Sequence, residues 1–391
     1  MPASHPLRLL VVTNYFPSHG GGIERVAERL IAEFAQREVS SEWLSSDTDP
    51  PPEPAANRVA IPVHTTNVME RVTQLPYPLW FPSALPTLWR AIGRADVVHV
   101  HEHLYFGSIL AVLMARLRHR PVVITQHMGA LGLRRPLSTR LYEISARALG
   151  RVVFRLAARI VFISANVRSF FRRDACARSR LVFNGIDPAR FKAAPEEDRR
   201  RLRAELGIEP GRQVILFVGR YVRKKGLHIL ESLASRLPEP LWVFVGSGPE
   251  DPSRWSRGNV LVLGRVRQDR LPGIYQAADL LILPSSGEGL PLVVQEALAC
   301  GLGVLSTEEV RDACPPAGSL IRAHATPRLA PDVDGWERGV REVLADQAYL
   351  EARDERARRA HQLWSWAGCA SQYLMLFDEI RPTALTERAH R

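Results

Sequence analysis

Residues 285–301 read Ser285-Ser286-Gly287-Glu288-Gly289-Leu290-Pro291-Leu292-Val293-Val294-Gln295-Glu296-Ala297-Leu298-Ala299-Cys300-Gly301. The apolar run Leu280 to Leu283 before them reads as a buried strand, and the stretch from Leu290 to Cys300 reads as a helix. Leu290, Val293, Val294, Ala297 and Leu298 fall on one helical stripe. Gly289 frees the turn, Pro291 suits the first helical position, and Gly301 ends the helix. In an open α/β sheet, ligands bind beyond the carboxyl ends of the strands. The free N–H groups and the dipole of a helix N-terminus there favour a phosphate. Two carboxylates flank that point: Glu288 at the turn, and Glu296 inside the helix, off the stripe. Neither suits phosphate. Both suit hydroxyls, those of a sugar at the turn and of a ribose further in.

A second strand-like run, Val214 to Val218, leads into Gly219-Arg220-Tyr221-Val222-Arg223-Lys224-Lys225-Gly226 and a stretch with Leu227, Leu230 and Leu233 at helical spacing. Arg220 and Lys225 on that loop would neutralise a diphosphate leaving group; a surface turn with solvated charges is the alternative. Lysine is scarce in this arginine-rich chain, occurring only at 192, 224 and 225. Near the N-terminus, the strand-like Leu7 to Val12 precedes Gly20-Gly21-Gly22 and a helical stripe at Ile23, Val26, Ala27, Leu30, Ile31 and Phe34. Glycine lets backbone come close to a phosphate, although a plain glycine-rich turn fits this segment equally. It is neither a Walker loop nor a dinucleotide fingerprint. Two further strands end in polar residues, Asp96 to His101 and Val122 to His127.

The order of these segments resembles the retaining family 4 glycosyltransferases, enzymes of two Rossmann-like α/β domains facing a cleft (the GT-B fold) that use nucleotide sugars. Glu288 and Glu296 match the family's E-x7-E element, and Gly219, Arg220, Lys225 and Gly226 its Gly-Arg-x4-Lys-Gly; the likeness runs from about residue 7 to 380. The resemblance implies that Arg220 and Lys225 hold the diphosphate, that Glu288 binds a sugar hydroxyl and that Glu296 binds the ribose. It implies donor contacts from the turn Gly289-Leu290-Pro291-Leu292, where Pro291 has no N–H and the amides of Leu290 and Leu292 must serve. Gly21 and Gly22 would face the diphosphate across the cleft, and His127 would touch the donor sugar. Asn184, in Asn184-Gly185-Ile186-Asp187, would mark the cleft edge, and Val266 would line the base through backbone. The last helix, with Ser365-Trp366, would cross back to the first domain. Two departures stand out: Thr307-Glu308-Glu309 replaces the usual Gly-Gly after the strand at 304–306, and Ser247 replaces a common acid.

At 391 residues the chain accommodates an N-terminal acceptor domain over 1–185, a C-terminal donor domain over 186–360, and a helix and tail over 361–391. A linker is expected near 186–212, where charges replace apolar residues. Cys176, Cys300, Cys314 and Cys369 have no metal-ligand spacing, which suits free thiols in a reducing compartment. The start Met1 to Pro6 has no secretory pattern, and no apolar run is long enough to span a bilayer.

Charge is the other informative feature. Between Arg116 and Arg180 fifteen arginines face two acids, Glu143 and Asp174, so this stretch carries more than the whole net charge of +11. Arg147, Arg151, Arg155 and Arg159 recur every four residues, one ridge on a helix, beside an apolar set Leu141, Ile144, Ala148, Val152 and Leu156. A basic amphipathic helix suits an anionic membrane surface; a solvated face is the plain alternative. No nucleic-acid motif accompanies it. The aromatic, proline-rich Leu75 to Pro82 is an acceptor loop or a packed irregular segment.

The expected function is retaining, metal-independent transfer of a hexose-type sugar from a nucleotide diphosphate sugar to a glycan or lipid-linked acceptor hydroxyl, in cell-surface polysaccharide, lipopolysaccharide or glycolipid synthesis. No cofactor is expected beyond the nucleotide sugar as co-substrate, and the location expected is the cytoplasm or the inner membrane face. The alternatives are a nucleotide-sugar epimerase and a non-enzymatic membrane- or polyanion-binding protein.

Overall fold

The computed structural model describes residues 6–68, 77–129, 136–171, 178–325 and 332–381. They form two compact units, one of residues 1–184 with 366–391 and one of residues 185–365.

In the first unit the order is β1 (Arg8–Val12), α1 (Gly22–Ala35), β2 (Ser40–Ser46), β3 (Arg58–Val63), β4 (Thr65–Thr66), β5 (Leu79–Trp80), α2 (Ala84–Arg94), β6 (Val97–His101), α3 (Phe106–Leu117), β7 (Val122–Gln126), α4 (Pro136–Leu156), β8 (Arg159–Phe162), α5 (Ala165–Phe170) and β9 (Ser179–Leu181). Seven of these strands make one sheet in the order β3-β2-β1-β6-β7-β8-β9, every neighbouring pair parallel. Strands such as Val97–His101 and Val122–Gln126 are buried throughout, as parallel strands covered on both faces must be. The strand order reverses between β1 and β6, which makes the carboxyl ends of those two strands the natural ligand position. β4 and β5 form a separate antiparallel pair; Trp80 is buried there and Phe81 stacks on His64. Leu75 and Pro76 lie outside the described residues, as does Cys176.

The second unit runs α6 (Glu196–Glu205), β10 (Val214–Val218), α7 (Leu227–Arg236), β11 (Leu241–Val245), β12 (Val260–Gly264), α8 (Leu271–Ala277), β13 (Leu280–Leu283), α9 (Leu292–Ala299), β14 (Gly303–Thr307), α10 (Glu308–Asp312), β15 (Ile321–His324), α11 (Val333–Ala345), α12 (Gln347–Glu351) and α13 (Arg353–Leu363). Its sheet is also parallel, ordered β12-β11-β10-β13-β14-β15, and its strand order reverses between β10 and β13. The linker expected at 186–212 contains helix α6 between irregular stretches. Its charges are not free: Arg199 and Arg203 both pair with Asp279, which also accepts the Val214 N–H at the start of β10.

The chain then returns to the first unit in α14 (Trp366–Ile380). Trp366, Tyr373 and Phe377 pack with Val26, Leu30 and Phe34 of α1 in one core cluster. Burying each of these large side chains contributes about 2–3 kcal/mol, which fixes the terminal helix on a sheet begun some 360 residues earlier. The return falls at Trp366, since α13 belongs to the second unit. Among the described residues no helix is long and apolar enough to cross a membrane.

Candidate active site

In the second unit, the loops after β10 and β13 meet at the point where the strand order reverses. Gly226 makes this possible. It has φ of +82°, and a Cβ there would lie 2.5 Å from Pro284 at the end of β13. The loop after β10 therefore rests directly on the β13 turn. This brings the Lys225 Nζ to 2.8 Å from a Glu288 carboxylate oxygen, with both side chains largely buried. Lys224 braces the turn through its backbone carbonyl, which accepts from Ser286 N at 3.0 Å. Burial pushes the Lys224 ammonium below its usual range, while Glu288 opposes that shift. Arg220 is exposed on the same loop.

The next loop is held as closely. Gly246 and Gly248, after β11, have positive φ, and a Cβ on either would collide with backbone of Gly219 or Tyr221. Tyr221 N donates to Ser247 O and Glu250 N to Tyr221 O. The departure at Ser247 has a partner, because its hydroxyl accepts from Arg265 Nε at 2.7 Å. Val266 follows this arginine and is half-buried beyond the edge strand β12.

The β13 turn differs from the sequence reading in two details. The left-handed glycine is Gly287, with φ of +67°, rather than Gly289; its N–H turns to Glu309, whose carboxylate accepts at 3.0 Å. Thr307 caps α10 through Val310 N, so the unusual Thr307-Glu308-Glu309 buttresses the Glu288 turn. Pro291 is the N-cap of α9, one position before the helix, with φ −66° and ψ 130°. Leu292 and Val293 begin the helix, so their N–H groups lie among those with no acceptor inside it. Leu290 is buried and Gly289 half-buried beside them. The Glu296 carboxylate accepts from the buried Tyr275 hydroxyl at 2.8 Å, which orients it. Gly301, at φ +80°, closes the helix as expected, and its backbone lies against Arg353.

In the first unit, Gly21 is the N-cap of α1 and Gly22 its first residue. The position is already covered from within: a Cβ on Gly21 would lie 1.9 Å from the buried Glu24 carboxylate, which sits three residues into the helix. Burial raises the Glu24 pKa against the local backbone hydrogen bond and His19. His127 stands just beyond β7, nine-tenths buried, with its Nε2 at 3.0 Å from His101 Nδ1. Burial holds its pKa down at about 4, with Glu102 opposing, so the ring is neutral at pH 7. Asn184 is buried at the end of this unit.

Glu102 and His103 are the residues that sequence reasoning passed over. Both are fully buried at the end of β6, beside the loop that follows β1. Their signal in the sequence is two charged or titratable residues directly after a strand that alternates valine and histidine. Among the described residues no three His, Cys, Asp or Glu side chains are grouped to hold a metal ion.

The arginine ridge on α4 is shorter than its spacing implied. Arg147, Arg151 and Arg155 are exposed on the helix, but Arg159 opens β8 and pairs with Glu379. Arg147 lies over the Phe170 ring at 4.2 Å. Of the apolar set beside the ridge, three members point outward and Leu156 is half-buried against the core. Ile144 is 65% and Val152 56% exposed and Ala148 is exposed, while Ala146, Gly150, Val153, Phe154 and Ala157 face the core. The side chain of Leu141 lies outside the described residues.

The model of glycosyltransferase family 4 matches residues 20–190, and that of the glycosyl transferases group 1 matches residues 198–360. The chain is 30% identical over 214 residues to a putative teichuronic acid biosynthesis glycosyltransferase of Bacillus subtilis, an alignment that covers 54% of this chain and 53% of that one, about half its length. It is 26% identical over 389 residues to the GDP-mannose-dependent alpha-(1-6)-phosphatidylinositol monomannoside mannosyltransferase of Mycolicibacterium smegmatis, covering 92% and 95%. Among solved structures, the sucrose-phosphate synthase of Thermosynechococcus elongatus superposes with a TM-score of 0.74 at 18% identity, covering 95% and 98% of the two chains. The Anabaena protein HepE in complex with UDP superposes at 0.71 and 16%, covering 95% and 100%. Two parallel Rossmann-like units, the pairing of Lys225 with Glu288 where the second sheet reverses, and two family models spanning both units agree: the chain belongs to glycosyltransferase family 4.

Proposed function

We propose that the protein transfers a hexose-type sugar, with retention of configuration and without a metal ion, from a nucleotide diphosphate sugar to an acceptor hydroxyl in cell-surface glycan or glycolipid synthesis. The observation that carries this reading is the Lys225–Glu288 pair beside the N-terminus of α9. A cation, a carboxylate and free helix N–H groups at one point suit a phosphate joined to a polyhydroxyl group.

Lys225 and Arg220 neutralise the diphosphate, with the amides at 290–292 beside them; Pro291 contributes only shape. Glu288 accepts a hydroxyl of the sugar, and Glu296, oriented by Tyr275, accepts the ribose hydroxyls. Val266 lies along the base. The family resemblance assigns Gly21, Gly22, His127 and Asn184 of the first unit to donor binding as well. The bond from the anomeric carbon to the phosphate oxygen breaks as charge grows on an oxocarbenium-like sugar. The acceptor oxygen bonds to that carbon on the same face, its proton passes to an oxygen of the departing phosphate, and the nucleoside diphosphate leaves.

The same pair predicts a thermal shift. UDP, GDP, ADP and their hexose conjugates are screened against the wild-type protein and Lys225→Ala. One base class is expected to stabilise the wild type and to lose that effect in the variant. A flat response to every nucleotide would favour the polyanion-binding alternative instead. Free sugar released without an acceptor would favour the epimerase.

The acceptor reading rests on α4 and α3. Ile144, Ala148 and Val152 beside Arg140, Arg147, Arg151 and Arg155 make an apolar and cationic surface on α4 with Glu143 as the helix's one acid, and Leu113 and Leu117 of α3 are exposed as well. Such a face suits an anionic bilayer on the cytoplasmic side, each arginine contributing about 1 kcal/mol near the surface. Binding to phosphatidylglycerol vesicles is expected to fall at least tenfold in Arg147→Glu/Arg151→Glu/Arg155→Glu. Sedimentation with vesicles that survives this triple change would remove the membrane from the proposal.

A further inference from the structure

Glu102 has a left-handed backbone, φ +69°, at zero exposure. A non-glycine residue keeps such a conformation only where its surroundings over-determine it, and here they do. One carboxylate oxygen accepts from Met128 N at 3.0 Å and His127 N at 3.3 Å; the other accepts from Gln126 Nε2 and lies 3.2 Å from His103 Nδ1. The Gln126 amide cannot be reversed. Its Nε2 donates to Glu102 and to Met128 O, and its Oε1 accepts from His103 N and His103 Nδ1. His103 Nδ1 is therefore a donor. His103 Nε2 lies 3.0 Å from Ala146 O of α4, again an acceptor, where Gly150 leaves room for the ring. Both ring nitrogens face oxygen atoms that can only accept, so His103 is a buried imidazolium beside a buried carboxylate.

We infer that the Glu102–His103 pair is a positioning device: it fixes the chain at 126–128, and with it the His127 side chain, and ties the carboxyl ends of β6 and β7 to α4. A buried ion pair adds little net stability compared with apolar packing. What it adds is a single geometry. Burial by itself would lower the His103 pKa, but Glu102, Gln126 and the Ala146 carbonyl together raise it. The pair stands where the first sheet reverses its strand order, the position at which such sheets bind ligands.

This inference rests on His127 touching the donor sugar. The test is a double-mutant cycle of Glu102→Gln and His127→Ala, read as kcat and donor KM, with nitrogen-15 spectra of His103 in the wild-type protein. Glu102→Gln is expected to lower kcat by about 10-fold or more with KM nearly unchanged, and to cost little further in the His127→Ala background. His103 is expected to show two protonated ring nitrogens at pH 7. A neutral His103 tautomer overturns the pair without any appeal to activity. Equal loss in both backgrounds overturns positioning through His127. A fully active His127→Ala enzyme instead overturns the role given to His127, a separate failure that the spectra distinguish.

Discussion

Lys225→Ala is expected to lower kcat about 10²–10³-fold, the usual loss when one preorganised charge is removed from a developing anion. The same change takes from Glu288, 13% exposed, the cation in contact with it and leaves only the longer-range field of Lys224; breaking a buried pair in this way costs up to about 3–5 kcal/mol. Two effects therefore mix in that variant, and Glu288→Gln separates them. The amide fills the same space and its oxygen can still accept from the Lys225 ammonium, so the fold is expected to hold better than in Lys225→Ala while the sugar hydroxyl loses its carboxylate. Lys225→Arg keeps the charge and is expected to retain more activity than Lys225→Ala. The measurement is initial rate with the donor found by the nucleotide screen, alongside thermal midpoints. Lys225→Ala within threefold of wild-type turnover would remove Lys225 from the diphosphate site.

Acid is expected to loosen the first unit before the second. His99, His101 and His127 lie side by side at the ends of β6 and β7 and are all buried. Burial lowers the pKa of each, His99 to about 3 and His127 to about 4; neighbouring imidazoles add to the shift at His99 and His101, and Glu102 opposes it at His127. His99 Nδ1 and His101 Nε2 have no hydrogen-bond partner among the described residues, so a proton there would have nothing to hold it. The unfolded chain takes protons on these rings near pH 6.5. Below that pH it binds more protons than the native state, so stability rises with pH across the window from about 4 to 6.5 and is lost on descending it. For His127 alone the difference is roughly 3 kcal/mol at its lower end. His103 acts in the opposite sense: its pKa is raised, so its contribution is whole below pH 6.5 and is lost as pH climbs through its folded value. Hydrogen exchange of the β6 and β7 amides at pH 7 and pH 5 reads this out. Protection should fall at pH 5 in the wild type and fall less in His99→Leu. Unchanged protection at both pH values would contradict the buried neutral histidines.

Much of this architecture was legible because its cause is local. A parallel strand covered on both faces must be an unbroken apolar run, so Val214 to Val218 and Leu280 to Leu283 declared themselves. Helix α9 and its closing Gly301 could be read from spacing and from the left-handed position after a helix. The rest was not legible, because there a residue's role depends on its neighbours in space. Periodicity does not say which stripe of α4 the sheet will cover: Ile144, Ala148 and Val152 are exposed, while Gly150 and Phe154 face the core. Arg159 kept the four-residue rhythm after the helix had already given way to β8. The stretch expected as a linker holds a helix whose arginines pair with a carboxylate at Asp279, seventy-six residues from Arg203.

The sequence by itself determined the two parallel sheets, the order of their elements and the residues carried by each loop, since each depends on composition within a few residues. Only the tertiary structure decided which loops meet. Gly226 against Pro284 sets Lys225 beside Glu288, Tyr275 turns Glu296, and Glu102 gathers the amides of His127 and Met128. These are long-range contacts between polar groups with few neighbours of their own kind. Burial and exact hydrogen-bond geometry create them, and neither quantity is written in a single stretch of chain.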